Sequence, residues 1–463
     1  MNIQKAFKAF ISTALVFTAV NLKAEDKSLE ARVSELEAHN MINYFTFGGL
    51  LETRYDSIKS TRTQNALLNQ GAIDSSTQNI RLKSSLDANA NVSDRIKFYS
   101  RYTASKTFNT LNTSGGTSPI FLEAYQGRDY NSAAVYIEKA YADYTFFQNE
   151  DSSAVLSFGR LPTADGPPLN MINGRPRQGT FALLAYNANF DGFGLSYNKK
   201  LQNDQSLSFR LLYTPLSAVN RGSTTGSYAY LNSYSSTSGF KINNLTDISS
   251  VIVEYNKANA GFAENLSVIY HSVITGKFGF ADKQVYSSAS GAIESSIQIH
   301  TLTTTMDNIM NSNLDFGLSL TSTQITNSGA ISGVPIVSEI TGAAIGTTTV
   351  YGVGARTQGE TINGTETLAN LKYRFSNKYA LGAEYLINKD GYSSSFTNDD
   401  VTSYYRTQGK AYQIYALVKP ESELTLRFGY TNQKWDKTTQ TIGPSNDTDL
   451  KNETYYTNIR LDF

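Results

Sequence analysis

The sequence has no cysteine in 463 residues, which excludes disulfides, thiolate metal sites and a cysteine nucleophile. It also has only one tryptophan, nine prolines and three histidines. Basic and acidic residues are equal at 40 each, so net charge gives no support for a nucleic-acid partner. Walker, Rossmann and H-E-x-x-H motifs do not occur either, and we therefore expect neither a cofactor nor a metal.

A hydrophobic run long enough to cross a bilayer as a helix is missing as well. The nearest candidate, Phe10–Val20, follows two lysines and is shorter than the roughly 20 residues that a transmembrane helix needs. Together with the small Ala24 it predicts a cleaved signal peptide over residues 1–24. A later apolar stretch, 331–350, is interrupted by proline, glutamate and glycines, so a loop is predicted there.

Aromatic and small polar residues are abundant instead. The chain contains 30 Tyr and 24 Phe, residue types that suit strands and the aromatic girdles of membrane barrels. Mean hydropathy is −0.33, which is compatible with membrane insertion because only every second residue of a barrel strand faces lipid. An exported soluble protein and an outer-membrane β-barrel are the classes left, and the aromatic content favours the barrel.

From residue 43 onward the hydrophobic pattern alternates with a period of two. Leu424–Tyr430, Ile80–Leu86, Leu207–Leu211 and Leu314–Leu318 each place apolar residues at every second position and charged or small residues between them. A β-sandwich also alternates. It would not keep Arg, Lys and Asp on one face of nearly every strand, whereas a barrel with lipid outside and water inside would.

The connections predict the topology. Short turns alternate with long segments rich in Ser, Thr, Gly and Asn, as in outer-membrane barrels with short periplasmic turns and long outer loops. We predict an all-β, transmembrane, antiparallel up-and-down β-barrel over residues 43–463, with fourteen or eighteen strands left open as alternatives to sixteen. The predicted strands lie near 44–56, 76–90, 95–108, 131–147, 153–160, 189–199, 205–214, 247–257, 264–275, 293–306, 313–325, 364–375, 379–389, 407–419, 423–434 and 452–463.

The segment before the first strand has a different period. Within residues 25–42, Leu29, Val33 and Leu36 follow heptad spacing, which predicts a short periplasmic helix or coiled coil. Two heptads cannot hold an isolated helix together, but they would be stable if three copies met. A homotrimer is therefore predicted, and a frayed amphipathic tail is the alternative.

The chain ends in a strand whose residues Tyr455, Ile459, Leu461 and Phe463 share one face. This ending resembles the terminal strand of outer-membrane proteins, in which a C-terminal Phe is recognised by the barrel-assembly machinery. The resemblance implies that Phe463 is an assembly signal. It also implies outer-membrane lipid and lipopolysaccharide as the surroundings of the protein.

The stretch Gly159–Gly194 is predicted to contain the third outer loop, and it carries four of the nine prolines. Proline is excluded from central strands, so this loop is predicted to be stiff. In sixteen-stranded porins, which the predicted architecture resembles, the third loop folds into the lumen and narrows it. The charged candidates for such a constriction are Arg160, Asp165, Arg175, Arg177 and Asp191. A surface loop is the alternative.

The run Gly159–Pro168 (G-R-L-P-T-x-D-G-P-P), with P-R-Q-G-T after it, also resembles an uncharacterised porin-like outer-membrane family of Gram-negative bacteria. The likeness covers the whole mature chain and implies a barrel. It implies no substrate, because that family has none assigned.

Strand alternation predicts which charges line the lumen. The basic set is Arg81, Lys83, Lys97, Arg101, Arg210, Lys372, Arg374, Arg427 and Arg460. The acidic set is smaller and comprises Asp87, Glu254, Asp315, Glu384 and Asp462. The excess of basic groups predicts a weak anion preference, without the density of Lys and Arg that phosphate-selective porins show.

Taken together, these features predict a non-enzymatic, water-filled porin for passive diffusion of small polar solutes or ions. An adhesin or structural barrel is the main alternative, because its wall would look the same, and a substrate-gated channel is a less favoured one. An enzyme is disfavoured because His271 and Ser272, as strand neighbours, point to opposite faces.

Overall fold

The computed structural model describes residues 44–65, 70–109, 135–177, 179–187, 189–214, 242–243, 248–276, 278–281, 290–337, 344–351, 353–390, 404–438, 443–444 and 446–463. The predicted signal peptide and the predicted helix within residues 25–42 lie outside this part of the chain. Within it, no helix has the length and apolar character needed to cross a bilayer.

Sixteen antiparallel wall strands form a closed barrel, which confirms the predicted fold. Each strand pairs with its neighbours in sequence, and the last pairs with the first. The wall strands are β1 (Phe45–Arg62), β2 (Ile73–Asn91), β3 (Ile96–Asn109), β4 (Val135–Gln148), β5 (Ser152–Leu161), β6 (Phe190–Lys200), β7 (Gln205–Thr214), β8 (Ile248–Ala258), β9 (Asn265–Thr275), β10 (Ser290–Asp307), β11 (Leu314–Val337), β12 (Thr361–Arg374), β13 (Tyr379–Lys389), β14 (Gly409–Val418), β15 (Leu424–Trp435) and β16 (Lys451–Asp462).

Alternation along each strand gives the barrel two chemically different faces. On β7, Leu207, Phe209 and Leu211 are exposed on the outside, whereas Ser208 and Thr214 are buried on the inside. An apolar outer face suits lipid, and closure leaves no unpaired strand edge in the hydrocarbon. Strand side chains alone cannot fill a barrel of this size, so the interior holds either water or another part of the chain.

Strand positions agree with the predicted ones to within a few residues, except at the C-terminal end of β11 and in the segment that follows it. The predicted loop at 331–350 is wrong, because β11 continues to Val337 and pairs with a further strand, Ala344–Val350. Threonines and other β-branched residues favour extended backbone there. Pro335 lies beyond the last pairing of β11 with β10, at Ser332, where proline is better tolerated than in the middle of a wall strand.

The barrel closes at the seam between β1 and β16. The register runs from Leu50 opposite Asp462 to Thr61 opposite Lys451. Beyond β16, Phe463 and Gly49 exchange two backbone hydrogen bonds, of 2.7 and 3.0 Å. A Cβ at Gly49 would lie 2.8 Å from Cζ of the Phe463 ring, so the ring packs directly on the glycine. The recognition of Phe463 by assembly machinery stays a prediction.

This packing makes Gly49→Ala a test of the seam. The added methyl would crowd both the Phe463 ring and the Ser85 carbonyl, and we expect it to lower the free energy of unfolding by about 1–3 kcal/mol. The measurement is a urea titration of the refolded barrel, in which heat-shifted gel mobility reports the folded fraction. Gly194→Ala is the control, since its methyl would make ordinary contacts at 3.6 Å. Equal urea midpoints for the two variants would contradict this view of the seam.

Candidate functional site

The connection between β5 and β6, residues 162–189, folds into the barrel interior and is called loop 3 below. Its two ends are fixed beside the wall by hydrogen bonds. The Phe190 amide donates to Thr163 Oγ1 at 3.1 Å, and the Asp165 amide donates to Asn187 Oδ1 at 2.7 Å. Thr163 and Phe190 have no solvent exposure, so the base of the loop is dry.

The return arm of loop 3 packs on the wall formed by β7 to β11. The Ala182 amide donates to His271 Nδ1 at 3.3 Å, and the His271 ring meets Tyr186 edge-on with centroids 4.8 Å apart. Burial raises the pKa of the Tyr186 phenol, which stays neutral. Around these groups lie the buried apolar residues Leu161, Ala185, Phe190, Leu212, Ile248, Val273, Ile297, Ile299 and Ile325.

The same return arm also reaches the next sector of the wall. Leu183 and Leu184 are fully buried. They pack against residues of β12, β13 and β14 and of the segment before β14, namely Leu368, Leu386, Ala411, Tyr404 and Tyr405. Burial of a leucine side chain contributes roughly 1.5–3 kcal/mol. This contact therefore holds the loop against the wall rather than in free solvent.

The outgoing arm of loop 3 contains the short helix α1 (Leu169–Asn173), which the sequence pattern does not predict. Its Ile172 packs with Tyr415 and Leu417 of β14. From β15, Arg427 Nη1 donates to Asn173 Oδ1 at 2.7 Å. Loop 3 therefore crosses the interior from β5 and β6 to the opposite strands β14 and β15.

Glycine ends this helix. Gly174 adopts a left-handed conformation with φ of 61°, the usual geometry after the last helical turn. The Lys419 ammonium, from the turn between β14 and β15, donates to the Gly174 carbonyl. The carbonyl at the end of this helix thus gains a charged partner from the wall.

The predicted constriction residue Arg177 is part of an anchor. Its guanidinium pairs with Glu254 of β8 and donates to Ser267 Oγ at 3.2 Å. Glu254 is 1 % exposed and also pairs with Arg210 of β7 at 2.7 Å. A carboxylate buried to this extent requires both arginines, because an unpaired charge in this position would be strongly destabilising.

Asp165 and Arg175 are the predicted loop charges that lie on the free side of loop 3. Arg175 Nη2 is 3.4 Å from Asp165 Oδ2. Burial and the nearby Arg460 guanidinium lower the pKa of Arg175, which remains charged as arginine does in proteins. Electrostatic interactions connect Arg175 to Glu52 and Arg460, across the interior from the loop.

Arg160 and Asp191 do not belong to this set, and their assignment to the constriction loop was wrong. They lie on β5 and β6, directly opposite each other, and form an ion pair of 3.3 Å. Alternation places them on the same face as Phe158 and Phe193, which are 46 % and 53 % exposed on the outside. Both residues follow the strand period, so strand geometry turns them away from the interior.

The wall that faces loop 3 is formed by β16 and β1 to β4, and it is densely charged. Arg101 makes a two-pronged pair with Asp87, with distances of 2.7 and 2.8 Å. Lys83 lies 3.2 Å from Glu138. Arg460 contacts Asp462 at 2.5 Å and Glu52 at 3.5 Å. We call the space between these wall charges and Asp165 and Arg175 of loop 3 the passage.

The other predicted wall residues also lie on interior faces. Lys372 and Arg374 both contact Asp315 at 2.9 Å. The predicted basic residue Arg81 is 3.5 Å from Asp56. The guanidinium of Arg427 lies 5.4 Å from the centre of the Tyr456 ring. Lys97 is exposed at the short-turn end of β3. The predicted acid Glu384 is 2 % exposed and bonds to Asn370, Gln413 and Tyr405.

Several interior charges were missed. They are Glu52, Arg54, Asp56, Glu138, Lys139, Asp143 and Glu366. The first three were available from the sequence, since they alternate along β1. Glu138 and Lys139 were not, because a register shift between β3 and β4 breaks the alternation there. Most of the missed groups are acidic, so the basic excess predicted for the wall becomes smaller.

Glu254 allows a test of the anchor. Glu254→Gln leaves the Arg177 and Arg210 guanidinium groups opposite a neutral amide, and we expect a loss of about 3 kcal/mol in the free energy of unfolding. The control is Asp191→Asn, which breaks the more exposed pair with Arg160 and should cost less than about 1 kcal/mol. Urea titration of the refolded barrels checks both values. A Glu254→Gln variant as stable as Asp191→Asn would mean that this pair does not hold the loop.

Comparison with known proteins gives a family. No curated protein matches the chain. Among solved structures, it is similar to Pseudomonas putida OprB at 13 % identity and a TM-score of 0.46, over 95 % of this chain and 99 % of that one. It is also similar to a loop L8 deletion mutant of OmpT, an outer membrane protein of Vibrio cholerae (10 %, 0.45, 90 % and 99 %), and to the outer membrane channel DcaP of Acinetobacter baumannii (13 %, 0.42, 90 % and 97 %). The pattern of a family described as "Protein of unknown function (DUF3373)" matches residues 72–443, and this chain of sixteen wall strands belongs to that family.

Proposed function

We propose that the protein is an outer-membrane porin through which small polar solutes and ions diffuse passively. The observation that carries this proposal is the one-sided attachment of loop 3. Its apolar residues and anchors bind the wall from β7 to β15, while Asp165 and Arg175 face the charged wall of β16 and β1 to β4. Charged groups on both sides of the passage favour water there, because buried charges without solvent are costly.

In this function loop 3 sets the width of the passage and the facing charges set its field, the two determinants of selectivity in pores. The basic groups that border the passage are Arg175, Lys83, Arg101, Lys139 and Arg460. The acidic groups are Asp165, Asp87, Glu138, Glu52 and Asp462. These two sets offset each other at the passage. The weak anion preference that we propose therefore rests on the small basic excess that remains over the whole interior wall.

Catalysis is not part of the proposal. His271 is enclosed between the wall and loop 3, while His300 lies on the outer face with its Nδ1 3.0 Å from the Tyr270 hydroxyl. A histidine that serves as a base must reach a substrate, and neither position borders the passage.

The remaining parts of the proposal concern export and assembly. We propose that residues 1–24 are removed as a signal peptide, that assembly machinery recognises Phe463, and that the mature protein is a homotrimer. The heptad spacing of Leu29, Val33 and Leu36 supports the trimer.

Single-channel conductance in a planar bilayer tests the porin. The refolded protein should give large ohmic steps, and Asp165→Ala with Arg175→Ala should raise the conductance by roughly 10–50 %, because two side chains leave the narrowest part and ions meet less resistance. The matched control is Arg160→Ala with Asp191→Ala, which removes an equal pair of charges from the outer face and should leave the steps unchanged.

The same bilayers under a salt gradient report ion preference. We expect a small reversal potential whose sign corresponds to a preference for anions over cations. Silent bilayers from protein that shows heat-shifted mobility would refute an open channel, and a reversal potential of the opposite sign would refute the anion preference alone.

Chemical cross-linking in detergent tests the trimer. The full mature chain should give a trimeric band, and deletion of residues 28–40 should reduce it several-fold, because the coil supplies part of the association energy. A chain that yields only monomers, with or without the deletion, would exclude this assembly.

A further inference from the structure

A row of lysines lies on the outer face where β13 to β16 and β1 approach the long loops. This lysine row consists of Lys59, Lys389, Lys410, Lys434 and Lys451. Lys410 is directly opposite Lys434 in the register of β14 and β15, and Lys434 is directly opposite Lys451 in the register of β15 and β16. Adjacent strands are about 4.8 Å apart, and like charges in directly opposite positions destabilise a sheet. Three lysines side by side therefore favour a bound anion.

Aromatic residues on the outer face, on the side of the row nearer the short turns, indicate the level of these lysines in the membrane. Tyr412, Tyr430 and Tyr455 form a continuous aromatic strip on β14, β15 and β16, with ring centres 6.1 and 4.9 Å apart. Such strips mark the level of the lipid headgroups in outer-membrane barrels. The lysines stand two to four residues farther toward the long loops, which is roughly 5–10 Å along a tilted strand. They therefore lie at or just above the headgroups of the outer leaflet.

Nearby carboxylates neutralise only part of the row. Glu453 accepts from Lys451 at 3.0 Å, and it is also held by the Tyr430 hydroxyl at 2.9 Å and by Asn432 at 3.3 Å. Lys59 of β1 is directly opposite Glu453 of β16. In the described part of the chain, no carboxylate lies within ion-pair distance of Lys410 or Lys434, both of which are exposed. Within the described residues, the positive charges of Lys410 and Lys434 are therefore not neutralised by a carboxylate.

We propose that the lysine row binds the phosphate groups of an outer-leaflet glycolipid. A phosphate monoester offers three acceptor oxygens and up to two negative charges, so one group can bridge ammonium groups on neighbouring strands. The surface below the row is apolar, with Ile414, Phe428 and Ile459 exposed by 54 %, 44 % and 46 %. A lipid supplies both the phosphate and the acyl chains that this continuous surface fits, whereas a free phosphate would use only the lysines.

The experiment compares two triple variants of the full mature chain, refolded in detergent. Lys410→Gln, Lys434→Gln and Lys451→Gln remove the central part of the row. Lys199→Gln, Lys200→Gln and Lys257→Gln form the matched control, since these lysines lie at the opposite rim near the short turns. Native mass spectrometry measures binding of a bisphosphorylated lipid A and of the same lipid after removal of its phosphates.

The wild type and the control should bind the phosphorylated lipid with equal affinity. The row variant should bind it roughly 100-fold more weakly, from about 1 kcal/mol for each lysine near an anionic surface. All three proteins should bind the dephosphorylated lipid equally and weakly. Heat-shifted mobility checks folding, and if the triple variant does not fold, Lys434→Gln alone should lose roughly fivefold.

Three results would overturn the proposal. Equal affinity of the row variant and the wild type for the phosphorylated lipid would show that the lysines do not bind it. Displacement of the lipid by inorganic phosphate at an equal concentration would identify a site for free anions. A lipid-free oligomer of the wild type that the row variant cannot form would show that the row contacts a second copy of the chain instead.

Discussion

The pairing of every backbone amide and carbonyl in the wall is the constraint on which the rest of this structure depends. Hydrocarbon offers these groups no partner, and an open sheet would leave two edges unpaired. The seam between β1 and β16 removes both edges, and the two hydrogen bonds between Gly49 and Phe463 extend it to the last residue. Closure then fixes which side chains face lipid and which face inward.

A closed wall of sixteen strands leaves an interior that its own side chains cannot fill. Loop 3 occupies part of this space, and its apolar residues determine which part. Leu183, Leu184 and Ile172 bind it to the side of β12 to β14, so its charged residues remain on the side of β16 and β1 to β4. An apolar contact on one side thereby positions a polar surface on the other.

Pairing governs the charges on both faces of the barrel. Inside, Glu254, Asp315 and Asp87 each hold one or two basic partners, so the wall presents alternating signs rather than a uniform field. Outside, Arg160 and Asp191 neutralise each other, whereas Lys410 and Lys434 do not have such a partner within the described chain. The same strand register that produces the ion pairs also produces the row of like charges.

The sequence by itself determined the class of fold and most of the strand positions, because a two-residue period records which face meets lipid. It predicted sixteen strands with fourteen and eighteen as alternatives, and the closed pairing of the tertiary structure decided for sixteen. It also determined most of the charged interior faces, from Arg81 on β2 to Arg460 on β16. Only the tertiary structure decided that Arg177 is an anchor, that Arg160 and Asp191 face outward, and that Glu138 and Lys139 both face inward. These depend on contacts with distant strands, on strand ends and on a register shift, none of which leaves a periodic signal in the chain.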